Sequence, residues 1–248
     1  MRILREEVGA QKGLFLPLFV SSILFLAGAF ISAEYEQYPY LLFIACAISA
    51  IGIFRCLGKT ALLVFIASCA IYAFLFPVEH ISTLCLHAAF LSLALYFIWG
   101  QRKKLIKGCG SPLKRVGWGI GLFMLMVVAS ITANVLLYFS GIYDQARIVE
   151  VVSALPLYLI IFSVTIAPIS EELFFRAFLT PRLGIFPSSI LFALIHAAYG
   201  SIAELTGAFF LGLVLATAYS RLKDPLPCII AHALFNALSV SIMFWVYG

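Results

Sequence analysis

Charged side chains are scarce in this sequence: 11% of its 248 residues are Asp, Glu, Lys or Arg, while 64% are hydrophobic. A soluble domain carries about 25% charge and about 45–50% apolar residues. The shortage excludes a soluble globular protein, because there is too little polar surface to wrap the core. Several other features are missing. The six cysteines show no CxxC spacing and sit mostly inside apolar runs, so neither disulfides nor a thiolate metal site is expected. There is no internal repeat, no low-complexity tract, no HExxH and no serine elbow. The net charge of +5 comes with no groove-reading element and no aromatic interleaving of its basic residues, so no nucleic-acid partner is expected.

What the chain has instead is long apolar runs. Nine can be marked: Gly13–Ala33, Pro39–Phe54, Thr60–Phe76, Ile81–Trp99, Val116–Ser140, Val152–Thr180, Ile185–Tyr199, Leu205–Ser220 and Leu226–Tyr247. About 20 apolar residues cross a bilayer as a helix, and a lipid-exposed backbone has to satisfy its own hydrogen bonds. The expectation is an all-α polytopic transmembrane bundle of eight to nine spans. The first run lacks a small-residue cleavage site and reads as a retained span. Val152–Thr180 is long enough to tilt or bend, and Pro168 is the expected bend. Ile185–Tyr199 is short, about 22 Å at 1.5 Å per residue.

The loops alternate in charge. Fourteen of the 16 basic residues fall on one side, six of them within Gln101–Arg115; Arg147 lies on the other side, with Glu34, Glu36, Glu79, Asp144, Glu150 and Glu204, and Arg176 lies inside a span. The positive-inside rule then predicts a cytoplasmic N-terminus in a multi-pass protein of the plasma or inner membrane, and a basic loop beside anionic lipid. The same loop divides residues 1–115, accessory spans, from 116–248, where the intramembrane charges are found.

Those charges are the chemistry. In "ISEELFFRAFL", Glu172 and Arg176 are four apart and share a helix face, whereas Glu171 lies about 100° away and needs another partner. "FALIH" places Phe192 four residues before His196, and "HALFN" places His232 four before Asn236. Intramembrane ionisable residues usually mark a pathway or a site. Counted from the basic ends of their helices, Glu171, His196 and Asn236 all lie about 15–16 Å deep, and His232 about 9 Å. That layer suggests one cavity, expected to open toward the cytoplasm. His80 reads as a loop residue and His87 as packing or interface. A Glu–His pair can deprotonate water, and a second His with an Asn can donate to an oxyanion. This suits amide hydrolysis without a covalent intermediate and without a metal. Zinc on Glu, His and His is the alternative, which Asn236 disfavours.

These three stretches in order resemble the CPBP family, the CAAX proteases and bacteriocin-processing enzymes, also called type II CAAX prenyl endopeptidases or Abi-family intramembrane glutamic proteases. The resemblance covers roughly 155–241 and includes the linker "GAFFLGLVLATAYSRLKDPLPCIIAH". It implies that Glu171 and His196 activate water, that Glu172 and Arg176 are a supporting pair with Phe192 beside them, and that His232 and Asn236 form the oxyanion hole. It implies a membrane-anchored peptide substrate, prenylated CAAX or a peptide precursor. It also implies a core of commonly eight spans, catalytic in the C-terminal four. Two other classes fit the composition. A transporter with a polar midplane site would show two pseudo-symmetric halves, but here the charges occupy one half. A non-catalytic immunity or scaffold protein would tolerate loss of Glu171 or His196.

Overall fold

The computed structural model describes residues 107–247, together with Thr83, Leu86, His87, Phe90, Leu91, Ala94 and Ile98. The first three predicted spans, His80 and the loops between them lie outside the described residues, and so does the count of eight to nine. Everything regular in the described part is helical. The helices are α1 (Pro112–Phe139), α2 (Gln145–Ser153), α3 (Leu157–Leu183), α4 (Ile185–Ile195), α5 (Ile202–Leu222) and α6 (Leu226–Tyr247). The helices α1, α3, α5 and α6 are long and apolar enough to cross a membrane, and the run Ile185–Tyr199 is shorter, as its sequence predicted. This is a helical membrane protein. Along α1, Leu113, Trp118, Ile120, Met124, Val128, Ile131 and Leu136 are exposed. Such a stripe is unsuited to water and suited to lipid.

Two boundaries differ from the sequence expectation. Val152 does not open a long helix; it lies in the last turn of α2, and α3 begins only after Pro156, which is extended (φ −67°, ψ 152°). A proline biases the residue before it away from the α region and cannot donate an intrahelical bond. At the other limit α3 continues past Thr180 to Leu183. Helix α1 starts at Pro112 rather than Val116, with Ser111 as its N-cap and Pro112 in its first turn. Lys114 and Arg115 therefore belong to a helix, not to the basic loop.

Within α3, Pro168 lies inside the helix, and the stretch Glu172–Leu179 is π-helical. The wider turn closes when the Thr180 N–H donates to Phe175 O, five residues back, and Thr180 Oγ1 donates to the same carbonyl at 2.7 Å. This segment carries the centre of the core. Phe174, Phe175, Ala177, Phe178 and Leu179 are fully buried. Phe174 stacks on Phe90 at 4.4 Å and on Phe178 at 5.4 Å, and Phe175 meets Phe192 edge-on at 5.2 Å. Helix α1 packs on α5 and α6, α4 on α5, and α3 on α6. The α1–α6 contact is close at Gly119, where a Cβ would lie 2.7 Å from Ile230 Cγ2. Small residues at such crossings let backbones approach within a membrane.

The two ends of the bundle are tied differently. At the basic end, buried Asp224 accepts from the backbone N–H of Cys109 at 3.0 Å and of Leu226 at 3.1 Å, and pairs with Arg115 Nε at 3.1 Å. Burial, then the neighbouring Asp224 carboxylate, pushes the Cys109 thiol up. At the opposite end, Asp144 caps α5: its carboxylate accepts from Ser201 Oγ and the Ala203 N–H at 3.1 Å each, and from the Ile202 N–H. Burial raises the Asp144 pKa, but those donors outweigh it and hold the carboxyl below its ordinary value.

Candidate active site

The π-helical widening of α3 sets the geometry of the glutamates. Glu172 and Arg176 pair as their spacing predicted, with Arg176 Nε donating to Glu172 Oε2 at 2.9 Å and both side chains fully buried. Around the guanidinium lie the rings of Phe192, 4.4 Å away, and Phe175, 5.9 Å away. Among the described residues, Arg176 Nη1 and Nη2 have no hydrogen-bond acceptor. Phe192 is thus the face on which the buried cation rests.

Helix α6 brings His232 between the two glutamates. Its Nδ1 donates to Glu172 Oε1 at 3.0 Å, and its Nε2 lies 3.7 Å from Glu171 Oε2. Glu171 therefore does not face away from the Glu172 partner set; it shares His232 with it. The other oxygen of Glu171, Oε1, lies 3.6 Å from Nε2 of His87, on a helix ahead of α1. The sequence reading treated His87 as packing, so this is a correction. The signal was available, because His87 is an ionisable residue inside an apolar run, and the rule that singled out His196 applies to it equally. Its neighbours Phe90, Ala94 and Ile98 recur at helical spacing and are buried, which puts His87 on the inward face.

The three described histidines share one arrangement. His196 Nδ1 bonds to the carbonyl of Phe192 at 2.8 Å, which can only accept. His232 Nδ1 bonds to a carboxylate. His87 Nδ1 meets Ser170 Oγ at 2.7 Å, and the Ser170 hydroxyl already spends its proton on Ala167 O at 2.9 Å. In His196 and His232 Nδ1 therefore carries the proton, and Nε2 is left for the site; His87 takes the same tautomer as long as the Ser170 hydroxyl keeps its bond to Ala167 O. The FxxxH spacing has a double use: Phe192 fixes the His196 tautomer by its carbonyl, and its ring lies 4.7 Å from the imidazole.

A cavity of about 100 Å³ is lined in part by Phe192, His196, Glu204, His232 and Asn236; Glu171, Glu172 and His87 are not in its lining, and Glu171 adjoins it through His232. Asn236 donates one Nδ2–H to Ser163 O at 2.8 Å, joining α6 to α3, and its amide nitrogen has a second. The lining runs from Met126, Leu215 and His232 in the middle of the bundle to Ile148, Ala203 and Glu204. That is the end where Asp144 caps α5, opposite the basic loop. Among the described residues the lining includes none from the basic end, where the opening was expected. Glu204, read from sequence as a far-side loop charge, lines the cavity from the first turn of α5, where its N–H bonds to Ser201 Oγ at 3.1 Å. "SIAE" has a capping-box spacing, a signal for the helix start at Ile202 that the expected run Leu205–Ser220 passed over. Among the described residues no group of three or more His, Cys, Asp or Glu side chains has the arrangement of a metal site.

A buried carboxylate flanked by imidazoles, beside a polar cavity in a helical membrane protein, is an arrangement suited to acid–base chemistry. Residues 153–238 match the family model described as type II CAAX prenyl endopeptidase Rce1-like, the same family that the three sequence motifs resemble. The matched segment runs from the end of α2 to Asn236 and beyond by two residues, so it holds Glu171, Glu172, Arg176, Phe192, His196, His232 and Asn236 but not His87. No curated protein and no solved structure matches the chain.

Proposed function

We propose that this protein is an intramembrane endopeptidase that cleaves a peptide bond in a membrane-associated substrate, with water activated by Glu171 and His196 and no resident metal. The observation that carries the reading is the seat of Glu171: a buried carboxylate facing two imidazole Nε2 atoms at 3.6 and 3.7 Å. Glu171 takes a proton from water while the free Nε2 of His196 accepts from the same water, and the hydroxide attacks the amide carbonyl. The oxyanion is met by the second N–H of Asn236 and by His232. Two carboxylates and one guanidinium leave a single negative charge in the low-dielectric core. One proton on His232 Nε2 neutralises the cluster and makes that nitrogen a donor. Glu172 and Arg176 hold His232 in place.

The cavity holds only a few waters, at about 30 Å³ each. The reacting bond therefore has to reach it while the bulk of the substrate stays outside, among the helices and lipid. The family description supports a prenylated CAAX-terminated peptide as substrate class; a peptide precursor is the other. With the basic loop cytoplasmic, the cavity faces the outer side of the membrane. Purified protein in liposomes, incubated with a library of membrane-inserted peptides that includes farnesylated CAAX termini, tests this by product sequencing. Discrete cleavage that survives chelation is expected. No cleavage, or cleavage lost on chelation and restored by zinc, contradicts the reading.

A further inference from the structure

The matched segment begins at residue 153, yet one of the two imidazoles facing Glu171 comes from far upstream. We propose that His87 is a positioning residue for Glu171, supplied by the N-terminal block, so that this block completes the site rather than merely accompanying it. The inference rests on the water-activation reading above and adds a group to it.

The argument is geometric. His87 is buried, its ring held edge-on by Phe162 at 5.1 Å and Phe90 at 6.1 Å. While Ser170, the residue before Glu171, keeps its hydroxyl proton on Ala167 O, Nδ1 of His87 is the donor to Ser170 Oγ. The ring is thereby oriented from the same helix turn whose carboxylate it faces. Its Nε2, 3.6 Å from Glu171 Oε1, is left as an acceptor. An acceptor at that place is of no use to a carboxylate at rest. It becomes useful once Glu171 has taken a proton from water: the water O–H bond breaks, the Glu171 Oε1–H bond forms, and that O–H donates to His87 Nε2. The proton then passes from Glu171 to the departing amine, and the acceptor is vacated. His87 thus holds the protonated carboxyl in one rotamer between the two proton transfers, without touching substrate. A histidine kept for helix packing would need its Nδ1 bond to Ser170 and its ring contacts, but not this second nitrogen.

The two nitrogens can be separated by substitution. Asn at 87 reaches about as far as Nδ1 and can replace the bond to Ser170. Gln reaches about as far as Nε2 and can present an acceptor to Glu171. Rates are measured on an internally quenched farnesylated peptide ending in a CAAX sequence, with melting temperatures on the same preparations. His87→Ala should lower kcat up to about 100-fold, the loss that follows from displacing a reacting group by roughly 1 Å, with KM little changed. His87→Gln should recover much of the rate; His87→Asn should recover melting temperature but not rate. In a Glu171→Gln background, His87→Ala should have little further effect, since groups acting as a unit are not additive. Equal rates for Asn and Gln, wild-type kcat in His87→Ala, or an undiminished effect in the Glu171→Gln background would each overturn the proposal. Melting temperatures of the His87→Ala and Glu171→Gln cycle test the contact without turnover: strict additivity also overturns it. If Glu171→Gln itself cleaves like wild type, it is the water-activation reading that fails.

Discussion

Replacing Glu172 by Gln isolates the energetics of the buried cluster. The change keeps volume, so no cavity is created, and it removes one charge. In the native protein the Glu172 carboxylate accepts from Arg176 at 2.9 Å and from His232 at 3.0 Å, with no solvent exposure of either charged side chain of the pair. A glutamine oxygen can serve one of those donors, but the guanidinium is left without a counter-ion. Removing one partner of a buried ion pair is destabilising by about 3–5 kcal/mol. At about 2–4 °C per kcal/mol for a chain of this size, the melting temperature in detergent should fall by roughly 6–20 °C. Adding Arg176→Met should restore most of the loss, because a buried pair replaced by apolar groups of similar volume is often neutral, and a thioether suits the Phe192 ring now under the guanidinium. The assay is intrinsic-fluorescence melting of the wild type, the single variants and the double variant. A Glu172→Gln melt within about 2 °C of wild type, less than 1 kcal/mol on that scale, would refute the reasoning. So would a double variant less stable than the single.

Gly119→Val should destabilise by about 1–3 kcal/mol of overpacking, because its Cβ meets Ile230 Cγ2 at 2.7 Å and Pro227 O at 3.3 Å, while Gly117→Ala, with nothing within 4 Å, should melt like wild type. The folded-state pKa of Asp144 is depressed, so its stabilisation is present above its unfolded value and lost as pH falls through the folded one. Asp144→Asn should therefore melt lower than wild type near neutral pH, and the gap should close on acidification; a gap independent of pH would contradict this. Lys107→Cys should be shielded from a membrane-impermeant maleimide applied to intact cells, and Arg147→Cys should be labelled; the reverse pattern would turn the cavity toward the cytoplasm.

The sequence carried the helical membrane class and the Glu172–Arg176 pair, because both rest on local chemistry. A run of some 20 apolar residues has few options, and EExxxR, FxxxH and HxxxN each report side chains on one face. It failed where geometry departed from an ideal α-helix or where contact was distant in sequence. The angle of 100° between Glu171 and Glu172 assumed a regular helix, whereas the π-helical turns starting at Glu172 accompany an arrangement in which His232 meets both. Pro156, as visible as Pro168, was not read as the break between α2 and α3. His87 was passed over because its partners Ser170 and Glu171 lie more than 80 residues away. Pattern reading along one segment holds no information about that pairing. The reach of the cavity toward Glu204 was likewise inaccessible, since it depends on how α1, α2, α5 and α6 come together.

Glu171→Gln tests the central claim most directly. The substitution keeps the side chain's volume, and a neutral amide is less costly to bury than a carboxylate, so the protein should remain folded with its melting temperature close to wild type. Single-turnover cleavage of an identified peptide in liposomes, measured for both proteins, reads the loss of the base alone. The account predicts a fall of at least about 100-fold, the low end for a general base. His196→Ala should fall comparably, and the double variant little further. Cleavage by Glu171→Gln at near the wild-type rate would contradict it and return the buried carboxylates to a structural or transport role.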